Sequence, residues 1–232
     1  MSNMSNKLVE IMAKNASEDL SKLKAMAEQT DDSSAHSFET LLSTRDLKDA
    51  INDAIVKHEI DLVVMGTQGA TKAIEALFGS NTVKVIKKIK GCPVMAIPED
   101  FDFKIPKEIA FPTDFKHFYD EDLTPLIRLA KLFSSKIRIL HIDGENSLSD
   151  GQSYNLAMLK AYLEDIAHKF HWLPEHKNKE DAIKYFIKEL NIDILVMINY
   201  KHSFIENLLR EPLIKNIGFQ PTIPFLVIPA VN

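Results

Sequence analysis

Ile60-Asp61-Leu62-Val63-Val64-Met65-Gly66-Thr67 is an apolar run that ends in a glycine, and Ile192-Asp193-Ile194-Leu195-Val196-Met197 repeats it 132 residues later. A continuous apolar run of this length predicts a strand of a parallel sheet, buried on both faces. The repeat extends upstream at the same offset, where Asp49, Ala50, Ile51 and Ile55 recur as Asp181, Ala182, Ile183 and Ile187. Asp46 to Glu59 predicts an amphipathic helix, because Leu47, Ala50, Ile51, Ala54 and Ile55 share one face. Downstream, Cys92-Pro93-Val94-Met95-Ala96-Ile97-Pro98 is matched by Ile223-Pro224-Phe225-Leu226-Val227-Ile228-Pro229 at an offset of 131. Two related units are the economical explanation.

Alternating helix and strand patterns complete both units. In the first, Leu8 to about Glu28 has helical spacing, Ser37 to Leu42 is a short strand candidate, and helix Asn81 to Lys90 precedes strand Val94 to Ile97. The second opens with strand Glu108 to Pro112, a helix over Glu121 to Phe133 and strand Lys136 to Ile142. A helix from Tyr154 to about Phe170 follows, then a short strand over His171 to His176. Helix Lys179 to Leu190, strand Ile192 to Ile198, a helix near Leu208 to Ile217 and strand Phe225 to Ile228 complete it. This order predicts doubly wound parallel sheets in two tandem domains, residues 1–98 and 108–232, joined by a charged linker at 99–107. Projected back by the repeat offset, the second unit's strand–helix–strand opening falls almost wholly before Met1. The first unit is therefore expected to be incomplete.

The 232 residues carry a net charge of −5, which argues against a general nucleic-acid binder. No run is apolar enough to span a membrane, and the N-terminus has no secretory pattern. A single cysteine, Cys92, fits a reducing compartment, so a cytoplasmic protein is expected.

The chemistry lies after the first apolar strand. Gly66-Thr67-Gln68-Gly69 is followed nine residues later by Gly79-Ser80-Asn81, at the start of a helix. Glycines there let the backbone approach a ligand, and N–H groups at a helix N-terminus attract anions. Ligands of open α/β sheets bind at this end of the strands. On the residues alone, the stretch reads equally as a strand-to-helix turn with an N-cap.

The spacing Gly66-x2-Gly69-x9-Gly79-Ser80 resembles the ATP-binding signature of the universal stress protein family. Both flanks agree, and so does Pro112-Thr113-Asp114-Phe115 at the end of the second unit's opening strand. The resemblance covers both units and is similar to the tandem bacterial form. It implies the adenine-nucleotide α-hydrolase-like fold and a nucleotide-binding stress-response module whose ligand is ATP or a related adenine nucleotide, with or without Mg²⁺. It places Gly66, Gly69, Gly79, Ser80 and Asn81 at phosphate and ribose, with Thr67 and Gln68 lining the loop. Asp114 matches the adenine-side aspartate. The second unit reads Asn199-Tyr200-Lys201-His202, with Arg210-Glu211-Pro212 where the first has Gly79-Ser80-Asn81. Its glycines are gone, Glu211 would repel phosphate, and Pro212 lacks an N–H. That unit is expected not to bind ATP. The alternative is an interaction or dimerisation scaffold of the same fold.

The resemblance also implies pairing of the last strands across a two-fold axis, in a homo-oligomer or within one chain as a pseudo-dimer. Their flanking prolines suggest edge strands. Catalysis is not expected beyond slow ATP hydrolysis, because no general base and no Mg²⁺-holding carboxylate stands out. Three weaker patterns read as structure: His168-x2-His171-x4-His176 as a helix end entering a strand, Lys84, Lys87, Lys88 and Lys90 as a solvated helix face, and His141 before Asp143 as a packed histidine.

Overall fold

The computed structural model describes residues 2–31, 35–67, 80–142, 148–174, 179–200 and 222–230. They fall into two compact units, Met1–Asp46 and Leu47–Asn232. The first contains helix α1 (Ser2–Thr30), along which Lys14–Glu18 and Lys24–Glu28 pair at i,i+4 spacing. The expected strand at Ser37–Leu42 does not form. A strand exists only through a ladder, and these residues join none among those described.

The second unit is built on one seven-stranded sheet. Its elements are α2 (Leu47–His58), β1 (Val63–Gly66), α3 (Ser80–Lys88), β2 (Val94–Ile97), β3 (Glu108–Pro112), a 3₁₀ turn (Asp120–Leu123), α4 (Thr124–Phe133), β4 (Lys136–Ile142), α5 (Asp150–Tyr162), β5 (His168–Leu173), α6 (Lys179–Glu189), β6 (Ile194–Asn199) and β7 (Phe225–Pro229). The strand order is β1-β2-β7-β6-β3-β4-β5. Every pairing is parallel except β2 with β7, where Val94 faces Val227 and Ala96 faces Phe225. The last strands thus meet antiparallel within one chain. They are interior strands, which corrects the expectation drawn from their prolines. Pro93, Pro98, Pro224 and Pro229 stand outside the three paired positions of that ladder, so no N–H is lost there.

Period-two alternation sends each strand's side chains to opposite faces, and both faces are apolar. Val94, Ala96, Leu195, Met197, Phe225 and Val227 pack with Ile51 and Ile55 of α2, Val85 and Ile86 of α3, and Ile183 and Phe186 of α6. On the other face Phe111, Ile139, Val196, Leu226 and Ile228 pack with Leu126 and Ala130 of α4 and Leu159 of α5. Each large side chain buried in this way contributes about 1.5–3 kcal/mol.

Helix α5 starts earlier and ends sooner than expected. A capping box sets its start: the Ser149 hydroxyl accepts from Gln152 N, and the Gln152 amide oxygen accepts from Ser149 N. Its last turn closes near Leu163, and β5 begins at His168. His168 and His171 therefore lie on a strand, not a helix, and their odd spacing puts them on opposite faces. His171 packs edge-on against Phe186 at 5.1 Å, while His168 meets Phe170 at 5.6 Å. His176 lies outside the described residues, as does the expected helix at 208–217.

Asp193 anchors the segment that leads into β3. Its Oδ2 accepts from Lys107 N at 2.8 Å and Glu108 N at 3.0 Å, and its Oδ1 pairs with Lys104 Nζ at 2.7 Å. Arg138 donates twice to Glu108, at 2.6 and 2.8 Å, across β3 and β4.

Candidate functional site

Gly66 ends β1, and Thr67 follows it. Thr67 N donates to Ile97 O at 2.8 Å, which carries the β1–β2 ladder one residue further, and Thr67 is buried. The Gly66 carbonyl accepts from the Thr82 hydroxyl at 2.8 Å. Thr82 sits in the first turn of α3 and is buried. This bond ties the N-terminus of α3 to the carboxyl end of β1. The leading N–H groups of a helix have no intrahelical acceptor. At Ser80 and Asn81 they stand beside the carboxyl end of β1, and Asn81 is exposed.

Of the residues expected at this site, the structure brings Gly66, Thr67, Ser80 and Asn81 to one strand–helix junction. Gln68, Gly69 and Gly79 lie outside the described residues. Thr82 was not anticipated. Its signal was a hydroxyl residue in the first turn of the helix after the loop, where such a group serves the backbone. Lys84, Lys87, Lys88 and Lys90 are exposed. Cys92 is buried at the opposite end of the β1–β2 pair, its Sγ donating to Ile60 O at 3.3 Å. Burial raises its pKa, so the thiol is neutral.

The strand end related to this one by the repeat, that of β6, is built differently. β3 and β6 are parallel neighbours, and their carboxyl ends are bridged by side chains. The Tyr200 ring stacks on His117 with centroids 4.0 Å apart, and the Tyr200 hydroxyl donates to Phe118 O at 3.3 Å. Burial first, then the negative charge of Asp122, pushes the Tyr200 phenol far above its usual range. Asp114 sits at the end of β3, half-buried. Its Oδ1 accepts from Lys116 N at 3.0 Å, and its carbonyl accepts from Gln152 Nε2 at 2.8 Å. The Thr113 hydroxyl bonds to the buried Tyr119 phenol. His141 is packed between rings, stacked on Phe115 at 4.7 Å and edge-on to Trp172 at 4.9 Å; its Nδ1 lies 2.9 Å from Thr113 O. Asp143, Lys201, His202 and Arg210-Glu211-Pro212 lie outside the described residues. Among the described residues, no helix is long and apolar enough to cross a membrane. No cluster of three or more metal-ligating side chains occurs among them either.

Residues 2–98 match the model of the Universal stress protein family. These residues are similar to that family. Solved structures extend the likeness in fold beyond them. A universal stress protein from Archaeoglobus fulgidus DSM 4304 superposes with a TM-score of 0.64 at 18% identity, over 95% of this chain and 78% of that one. A protein from Pseudomonas aeruginosa UCBPP-PA14, described as of the same family, gives 0.61 at 12% identity, over 92% and 78%. At such identities the likeness is one of fold. No curated protein sequence matches the chain. The mostly parallel α/β sheet with its helices is the universal stress protein fold, and α2, β1, α3 and β2 are the part of it that the family match contains.

Proposed function

We propose that this protein is a stress-response module that binds ATP, or a related adenine nucleotide, at the β1–α3 junction. Gly66, Thr67, Gln68, Gly69, Gly79, Ser80 and Asn81 form its loop. The observation that carries the reading is the 2.8 Å bond from Thr82 to the Gly66 carbonyl. It sets the N-terminus of a nine-residue helix against the strand end from which the glycine loop departs. Backbone N–H groups fixed there bind phosphate without a lysine or arginine. Mg²⁺ accompanies the nucleotide through its phosphates.

The chain is read as a tandem, with domains at 1–98 and 108–232 and a linker at 99–107. The second domain is a partner that does not take nucleotide, because Tyr200 and His117 occupy its junction. That filled junction also favours the second reading, an interaction scaffold of the same fold. The β2–β7 ladder serves as the internal pseudo-dimer contact. The protein works in the cytoplasm, where its ligand is abundant.

Calorimetric titration of ATP with Mg²⁺ into the whole chain tests this, with Gly79→Glu as the control. The expected result is one site per chain in the wild type and none in the variant. Absence of heat in both proteins overturns the nucleotide reading in favour of the scaffold.

A further inference from the structure

Positions related by the 132-residue offset have opposite environments. Ile192, Ile194 and Val196 are 2%, 5% and 0% exposed, whereas Ile60, Leu62 and Val64 are 37%, 39% and 59% exposed. Chemistry does not explain this, since the residues are identical or nearly so. Neighbours do. β6 lies between β7 and β3, and α4 packs on the face that holds Ile194 and Val196. β1 pairs with β2 alone among the described strands. Val63 N and Thr67 N are spent on Pro93 O and Ile97 O of the β2 side. By strand alternation, Val64 and Gly66 present their N–H groups to the open side.

Asp61 and Asp193 show the same contrast. Asp193 clamps the backbone that enters β3 and holds Lys104. Asp61 stands at the same place beside β1 with its side chain 85% exposed, and among the described residues it pairs with the exposed Arg128 at 3.3 Å. Such a pair contributes little and is readily exchanged. Glu59, also exposed, adds a second acid to this end of the edge.

We propose that the open edge of β1 is an acceptor site for a parallel strand supplied by a different protein. The contacts of β3 define the occupant. It carries a lysine ahead of an apolar strand of about five residues, and an amphipathic helix of about ten follows. The acids Asp61 and Glu59 complement the lysine. Asp61 accepts the first two N–H groups of the strand, and the helix covers Leu62 and Val64. Val64 and Gly66 N–H groups facing the open side, beside exposed valine and leucine, are what strand addition requires, while the Gly66 carbonyl stays with the Thr82 hydroxyl. Within this chain the described segment of that pattern, β3, is already held between β4 and β6. The inference does not depend on nucleotide binding.

The test uses the full chain and, as probe, a peptide of residues 104–133, the segment that already performs this task at β6. Hydrogen exchange is read residue by residue during titration. The expected result is a one-to-one complex in which the Val64 and Gly66 amides slow by about tenfold or more. Val64→Lys and Asp61→Lys should both abolish that protection. Each replaces an exposed side chain, so the free variants should unfold at the same urea concentration as wild type. A carrier fusion of the same segment, used in parallel, removes dependence on the solubility of the free peptide. Unchanged exchange at Val64 and Gly66 with both probes overturns the proposal. So does protection confined to β6, which reports displacement of the chain's own β3. Slow exchange in the free chain, together with a dimeric mass, also overturns it, because a second copy then holds the edge.

Discussion

Replacing Asp193 with alanine removes a carboxylate that organises the entry to β3. Two backbone donors lose their acceptor, Lys107 N at 2.8 Å and Glu108 N at 3.0 Å. A hydrogen bond to a charged group is worth about 1.5–3 kcal/mol, and the two here share one oxygen, so together they contribute about 3 kcal/mol. Lys107 is exposed, and water recovers part of its share, leaving a loss of about 2 kcal/mol. The Lys104 ammonium is 61% exposed and adds little. Urea unfolding at neutral pH measures the difference. Acid provides a second check. Burial alone would raise the Asp193 pKa, but the Lys104 hydrogen bond and the two backbone N–H groups outweigh it, so the folded carboxyl titrates below its ordinary range. A depressed carboxylate stabilises the fold above the unfolded pKa, and that stability is lost as pH falls through the folded value. The gap between wild type and Asp193→Ala should therefore stay level from neutral pH down to about 5 and narrow below about 4. The matching Asp61→Ala removes only an exposed pair and should stay within about 0.5 kcal/mol of wild type. A loss below about 1 kcal/mol for Asp193→Ala, or a gap that does not narrow in acid, refutes the clamp.

Thr82→Val keeps the shape but deletes the donor to Gly66 O; it should cost about 1 kcal/mol in urea unfolding and weaken ATP binding in calorimetry by about tenfold. Cys92 should resist a thiol-specific reagent in native buffer and react fully once urea unfolds the chain, since burial keeps it a neutral thiol. Tyr200→Ala should destabilise by about 2 kcal/mol through loss of the His117 stack, while Tyr200→Phe, which keeps the ring, should cost about 1 kcal/mol or less.

Much of the fold was legible because the signals are local. β2, β3 and β4 lie where the apolar runs place them, and α2 and α6 follow their periodicity to within about two residues. α5 and β5 were misread because Leu163 and Ile166 continue an apolar spacing beyond the last helical turn. Ser37–Leu42 was misread because strand propensity does not supply a partner. At the candidate site the glycine loop was visible in the chain. The bond that ties α3 to the end of β1 joins residues 16 positions apart and was not.

The amino-acid order by itself determined the repeat, the alternation of helix and strand, and the glycine loop that one half carries and the other lacks. Each follows from periodicity or from what a single residue type permits. Tertiary structure alone decided that β2 and β7 meet antiparallel to make one sheet, with proline-flanked strands at its interior. It also gave identical residues different tasks, as with Asp61 and Asp193. Burial and hydrogen bonding depend on which segments lie alongside, and sequence pattern encodes what a strand can bury but not which neighbour buries it.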